Sequence, residues 1–364
     1  MKKHAIIPIF IPHRGCPNDC VFCNQKAITA RQPDVTPSDV RDVIETYLPT
    51  LTGRGLETIE VAFFGGSFTG LPMDEQSSFL AVAAEYKRKG LIDKIHMSTR
   101  PDYIDTAILD NLRSYDADTI ELGVQSFDDT VLTAAGRGHT AAAVYEACSL
   151  IHDYGFELGI QLMIGLPDDS LEKCLYSARE TVRMHPSIAR LYPTIVLQDT
   201  ALYDMTRAGL YHPLTTAEAV AITKEMYRIL AGAGINIIRV GLKSTDLISG
   251  SGQDSDKTWG HTYHPAFRQL VEGEIAREDI EAQIRSLPAD SCDSCNPGHC
   301  VPGDRPAATK KRRITVSSNG VSFSNMIGNC ACNRRYFESA YPDLSIRFTV
   351  DDSLPDMTFR VKAQ

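Results

Sequence analysis

Six strand-to-helix units follow one another from the N-terminus of this 364-residue chain, and that alternation constrains the fold more than any single residue. Short β-rich runs at Ala5 to Ile11, Thr58 to Phe64, Lys94 to Ser98, Thr119 to Val124, Glu157 to Ile164, Ala189 to Leu197 and Ile235 to Val240 are separated by longer helical stretches. The first helix is the best marked, with Thr36 as N-cap, Pro37 at the first helical position and Asp39 three residues after the cap. Such alternation implies a parallel sheet with right-handed crossovers. The expected class is α/β: a partial (β/α)6 barrel over residues 1–245, with its active site at the C-terminal ends of the strands. Residues 246–290 read as an extension that closes the barrel, with a helix from Pro265 to Glu272, and 291–364 as a small Cys-containing α+β appendage.

Composition narrows the setting. Apolar residues make up 43% and charged residues 23%, as in an ordinary soluble protein, and no apolar run approaches a membrane span. A cytoplasmic protein is expected, since ten cysteines with three in a ligand array fit a reducing compartment. The balance 37 − 46 gives a net charge of −9, which argues against indiscriminate nucleic-acid binding while allowing a local basic site.

Cys16, Cys20 and Cys23 stand in a Cys-x3-Cys-x2-Cys array just past the first strand, with Phe22 before the last. Three thiolates in one loop hold three irons of a 4Fe-4S cluster and leave the fourth open. A zinc site usually wants a fourth close Cys or His, and a disulfide leaves one cysteine unpaired. The array resembles the signature of the radical S-adenosylmethionine superfamily. That resemblance implies that the open iron binds S-adenosylmethionine, that reductive cleavage gives a 5'-deoxyadenosyl radical, and that an electron donor such as flavodoxin or ferredoxin serves the cluster.

Further motifs fall at strand ends. Gly65-Gly66-Ser67 resembles the superfamily's Gly-Gly-Glu motif for the methionyl amino group, with Ser67 in place of the acid. Glu121-Leu122-Gly123-Val124-Gln125, Gly136-Arg137-Gly138-His139 and Gln161 to Pro167 resemble segments of oxygen-independent coproporphyrinogen III oxidase and of the radical domain of the Elongator catalytic subunit. The resemblance puts Gln125 and Arg137 on S-adenosylmethionine, Arg137 on its carboxylate, with Glu121 as a companion and Gln161 on ribose hydroxyls. Structural ion pairs on the barrel rim are the competing reading for the charged members. Gln161 stands where the coproporphyrinogen enzymes tend to have Asp, which favours the Elongator-like branch over a decarboxylase.

The expected activity is hydrogen abstraction from an RNA base or small metabolite, with no acetyltransferase domain in the short downstream chain. A coproporphyrinogen-oxidase-like decarboxylase and an iron-sulfur scaffold or electron carrier are the alternatives. Lys243, Asp246, His261, His264 and Arg268 are candidates for a substrate face. Cys148 and Cys174 read as small buried hydrophobes. Cys292, Cys295 and Cys300, with His299, Cys330 or Cys332, form a candidate second site for an iron-sulfur cluster or zinc. The basic run Lys310 to Arg313 is a solvated face or a nucleic-acid contact.

Overall fold

The computed structural model describes residues 4–11, 20–23, 35–242, 258–288 and 311–364. The chain divides into two compact units, Met1–Pro265 and Ala266–Gln364.

In the first unit, β1 (His4–Ile11), β2 (Thr58–Gly65), β3 (Lys94–Thr99), β4 (Thr119–Gln125), β5 (Glu157–Ile164), β6 (Ile188–Pro193) and β7 (Asn236–Val240) lie side by side in sequence order. Every neighbouring pair is parallel. This is the expected partial barrel. Helices α1 (Pro37–Leu51), α2 (Met73–Arg88), α3 (Thr106–Ser114), α4 (Asp129–Ala134), α5 (Ala141–Asp153), α6 (Leu171–Arg183), α7 (Ala201–Arg207) and α8 (Thr216–Gly232) occupy the connections. Helix α1 starts as its sequence requires: Asp39 N–H donates to Thr36 Oγ1 at 3.3 Å, and Thr36 N–H donates to Asp39 Oδ2 at 2.7 Å, a reciprocal capping box.

Strand parity sorts the side chains. Along β4, Ile120, Leu122 and Val124 are fully buried and form one apolar set with Ile95, Met97, Ile160 and Leu191 from neighbouring strands. The alternate positions carry Glu60, His96, Glu121, Gly123, Gln125, Gln161 and Arg190, so the opposite sheet face is polar although largely buried. The expected run from Ala189 to Leu197 is two elements: β6 ends at Pro193, which lacks the N–H to continue a ladder, and Val196–Leu197 pairs antiparallel with Thr258–Trp259.

The second unit has α9 (Phe267–Ser286), β8 (Arg312–Ser318), α10 (Phe323–Ile327), α11 (Cys332–Ala340), β9 (Leu344–Val350) and β10 (Arg360–Ala363). Helix α9 runs far beyond the expected stop at Glu272, because Val271, Ile275, Ile280 and Ile284 keep an apolar stripe going past Gly273. Its sheet, in order β9-β8-β10, packs Ile314 and Val316 against Ala276, Ile280, Met326 and Phe337.

Leu122→Ala should lower the unfolding free energy of the first unit by about 2–5 kcal/mol, the usual cost of a cavity at a fully buried leucine. Guanidinium unfolding followed by tryptophan-independent far-UV dichroism measures it, and a loss below about 1 kcal/mol would place Leu122 outside a tightly packed layer.

Candidate active site

The described part of the cysteine loop is tied down on three sides. Cys23 N–H donates to Cys20 O at 2.9 Å, Val21 N–H to Ala135 O at 3.1 Å, and Leu202 N–H to Val21 O at 2.7 Å. Phe22 packs on Val131, Ala135 and Leu166, so the aromatic anchors the loop between two cysteines.

Beside this loop lies an open cleft at the C-terminal ends of β2 to β5, about 640 Å³ with its open solvent counted. Cys20 and Cys23 line it together with Gly65, Gly66, Ser67, Gln125, Arg137 and Gln161. Ser98, Thr99, Arg100 and Gly123 complete the wall. Glu121 is the exception among the expected cofactor residues: it sits farther down β4, buried and ion-paired. Cys16 lies outside the described residues.

Gly65 is required by the backbone. Its φ is +116°, and an added Cβ would stand 2.1 Å from Ile11 O, so only glycine permits β1 and β2 to end this close. Gln125 also has a left-handed backbone, φ 71°, at the bulge where β4 slips against β5. Strain of this kind in a non-glycine residue persists where the surroundings enforce it, commonly at ligand sites.

Arg137 is the junction of the cleft. Its Nη1 donates to Cys20 Sγ at 3.3 Å and its Nη2 donates to Gly123 O, joining the cysteine loop to β4. Arg100 donates to Arg137 O and is itself gripped by Asp102 through two bonds of 2.8 and 2.9 Å. His139, behind these arginines, is held down to about 4 by burial and then by the charges of Arg137 and Arg100, and so is neutral near pH 7. Nη1 and Nη2 of Arg137 each have one partner here, and each carries a second hydrogen. Among the described residues, Arg137 Nε and Gln125 Oε1 are buried without a hydrogen-bond partner. Orphaned polar atoms in the wall of a cleft call for a polar ligand.

Beneath the cleft runs a buried chain of charges. His96 Nδ1 stands 2.6 Å from Glu60 Oε1, and its Nε2 3.0 Å from Glu121 Oε2; Arg190 Nε is 2.8 Å from Glu121 Oε1. Arg190 also lies over the Phe64 ring, 4.8 Å from its centroid. Burial alone would push the His96 pKa down, but hydrogen bonds to Glu121 and Glu60 outweigh it and hold the ring up at about 9. Burial would raise Glu60, yet hydrogen bonds from His4 and His96 bring it to about 2. None of Glu60, His96 or Arg190 was singled out from the sequence. Their signal is a charged or imidazole residue at an alternate position inside each otherwise apolar strand.

The remaining candidates disperse. His261 and His264 do not line the cleft, and Lys243 and Asp246 lie outside the described residues. Arg268 pairs with Glu272 at 2.7 Å within the second unit. Cys148 and Cys174 are buried with thiols pushed up by burial, Cys148 to about 12, as fits structural cysteines. Cys330 and Cys332 are exposed free thiols at the start of α11; Cys292, Cys295, His299 and Cys300 lie outside the described residues. Among the described residues no three metal-ligating side chains converge, and no helix is long and apolar enough to cross a membrane.

The chain resembles known proteins in sequence and in fold. The sequence profile of the Radical SAM superfamily matches residues 10–179, and that of the Radical_SAM C-terminal domain matches 186–277. Human Elongator complex protein 3 is 28% identical over 263 residues, 60% of this chain and 47% of that protein. The tRNA uridine(34) acetyltransferase of Methanocaldococcus jannaschii is 26% identical over 257 residues, 60% of this chain and 47% of that protein. The chain thus spans about half the length of the curated relatives it matches. A solved structure of Methanocaldococcus infernus Elp3 shares the fold with a TM-score of 0.60 at 20% identity, covering 77% of this chain and 64% of that one.

The buried charge chain carries a pH prediction. Because His96 is raised from 6.5 to about 9, its contribution to stability is complete below pH 6.5 and lost as pH climbs through 9. Glu60, lowered from 4.5 to about 2, contributes above pH 4.5 and loses that as pH falls toward 2. The thermal midpoint should therefore fall between pH 6.5 and 9 in the native protein and fall less in His96→Gln. Parallel slopes in the two proteins would show that His96 is not charged in the fold.

Proposed function

Since the chain belongs to the radical S-adenosylmethionine superfamily, we propose that it cleaves S-adenosylmethionine reductively and removes a hydrogen atom from a base of an RNA substrate. The observation that carries this reading is the gathering of Cys20, Cys23, Gly65, Gly66, Ser67, Gln125, Arg137 and Gln161 around one cleft. The residues present fit the cofactors: thiols at one end, and buried unpartnered atoms of Gln125 and Arg137 beside them. When bound, a 4Fe-4S cluster with S-adenosylmethionine would supply the one-electron cleavage.

Each side chain has a distinct task. Cys20 and Cys23, with Cys16, would hold the cluster. Arg137 fixes Cys20 against β4 and keeps Nε as a donor for the ligand. Gln161 Nε2 donates to Ser98 Oγ at 2.7 Å, which orients its amide and leaves its oxygen for ribose hydroxyls. Ser67 and the Gly65-Gly66 backbone would meet the methionyl amino group.

RNA is favoured as substrate because the relatives include a tRNA uridine(34) acetyltransferase. Acetyl transfer itself is not part of the proposal, since the match covers about half of those proteins. A cytoplasmic setting and an electron donor of the flavodoxin or ferredoxin kind belong to the same reading.

Two measurements test it. Anaerobically reconstituted protein should hold one 4Fe-4S cluster and form 5'-deoxyadenosine under reduction, and changing Cys16, Cys20 and Cys23 to Ala should abolish both the electron paramagnetic resonance signal and the product; survival of the product sinks the reading. Arg137→Lys should weaken S-adenosylmethionine binding by roughly ten- to a hundredfold, the loss expected for about 1.5–3 kcal/mol of charge-assisted bonding, while an unchanged dissociation constant would remove Arg137 from the binding site.

A further inference from the structure

The second unit presents a sheet face with an unusual charge pattern. In the β9-β8-β10 sheet, alternate residues turn away from the apolar core formed by Ile314 and Val316. On that open face Thr315 of β8 lies between Arg347 of β9 and Lys362 of β10. One row along, Ser317 lies between Thr349 and Arg360; in the other direction Arg313 lies beside Ser345. The four basic residues are exposed and the hydroxyls are partly or fully exposed.

The strands of this face carry four cations and four hydroxyls, with the carboxylate of Asp351 at the rim, in a chain whose net charge is −9. Among the described residues, Arg313, Arg347 and Lys362 make no ion pair; Arg360 is 3.4 Å from Asp351, which follows β9 at the rim. Side chains two apart on a strand are about 6.6 Å apart and neighbouring strands about 4.8 Å, so the grid covers roughly 10 by 13 Å. We propose that this face binds the phosphodiester backbone of an RNA strand.

Three features select that partner. Arg, Lys, Ser and Thr are the side chains that contact phosphate oxygens, and here they alternate. Ser317 and Thr349 share one hydrogen bond of 3.0 Å, which leaves one of their two hydroxyl protons to donate, and Thr315 accepts from Gln364 at 2.6 Å while keeping its own proton to donate. The face carries no aromatic or large aliphatic side chain, so it offers nothing to stack on a base or insert into a lipid surface. Contact is therefore electrostatic and independent of sequence, with no demand on the cleft chemistry. A second copy of the chain is disfavoured, because two such faces would meet with like charges opposed.

The test uses the full reconstituted chain and a fluorescein-labelled, unmodified tRNA transcript, read by anisotropy at several salt concentrations. Four phosphate contacts predict a slope of roughly −3 for log affinity against log salt. A variant with Arg313→Gln, Arg347→Gln, Arg360→Gln and Lys362→Gln should bind at least about tenfold more weakly and lose most of that slope, with single variants each lowering the slope by about 1. Circular dichroism melts confirm that each variant is folded; should the fourfold change unfold, the exposed single changes at Arg347 and Lys362 give the same readout at smaller amplitude. Equal affinity and slope in folded variants would overturn the proposal. So would wild-type binding to vesicles with 30% phosphatidylserine, or to polyglutamate, at an affinity matching that for tRNA. The Cys20→Ala protein should still bind the transcript, which separates failure of this surface from failure of the radical chemistry.

Discussion

The contact on which the site depends is the guanidinium of Arg137 between Cys20 Sγ and the Gly123 carbonyl. A cysteine loop following a strand has few restraints of its own. Here one planar cation joins it to the middle strand of the sheet, and Arg100, clamped by Asp102, holds the backbone of that same arginine. Lysine could keep the charge but not the forked geometry. The glycine at 123 matters for the same reason: a Cβ there would come within 3.1 Å of Gln125 Nε2 and 3.7 Å of Arg137 Nη2.

Below this junction the sheet accepts Glu60, His96, Glu121 and Arg190 in a buried row. Removing charges from water is costly, and such a row is tolerated because each member has an oppositely charged neighbour at hydrogen-bond distance. Loss of one member would leave its partner buried and uncompensated. The row therefore acts as a rigid polar floor, and it explains why Glu121, with the look of a ligand-binding carboxylate, serves the fold instead of the cleft.

Much of this could be read from sequence because two periodicities carry it. Alternation of strand and helix gave the parallel partial barrel, and Thr36-Pro37 with Asp39 located the first helix. Gly65, Ser67 and Gln125 were singled out at strand ends, where such a barrel collects its functional groups, whereas Arg137, after α4, and Gln161, inside β5, were singled out by the resemblance of their motifs. The buried row was missed since its members lie on four strands far apart in sequence, and only the register brings them together. Helix α9 extends past the expected end at Glu272 because Val271, Ile275, Ile280 and Ile284 are buried on both sides of Gly273, and that packing overrides the low helix propensity of glycine. The basic sheet face was likewise hidden: Arg313 belonged to an evident basic run, but Arg347, Arg360 and Lys362 join it only through strand pairing.

The central claim is the proposed removal of a hydrogen atom from RNA at the cofactor cleft. Isotope transfer tests that claim most directly. The reduced, reconstituted protein would be given S-adenosylmethionine and a tRNA transcript made with perdeuterated nucleosides, and the 5'-deoxyadenosine formed would be weighed by mass spectrometry. The account predicts product one mass unit heavier than that formed with protiated RNA. Product that forms at the same rate with and without RNA, and carries no deuterium, would contradict it.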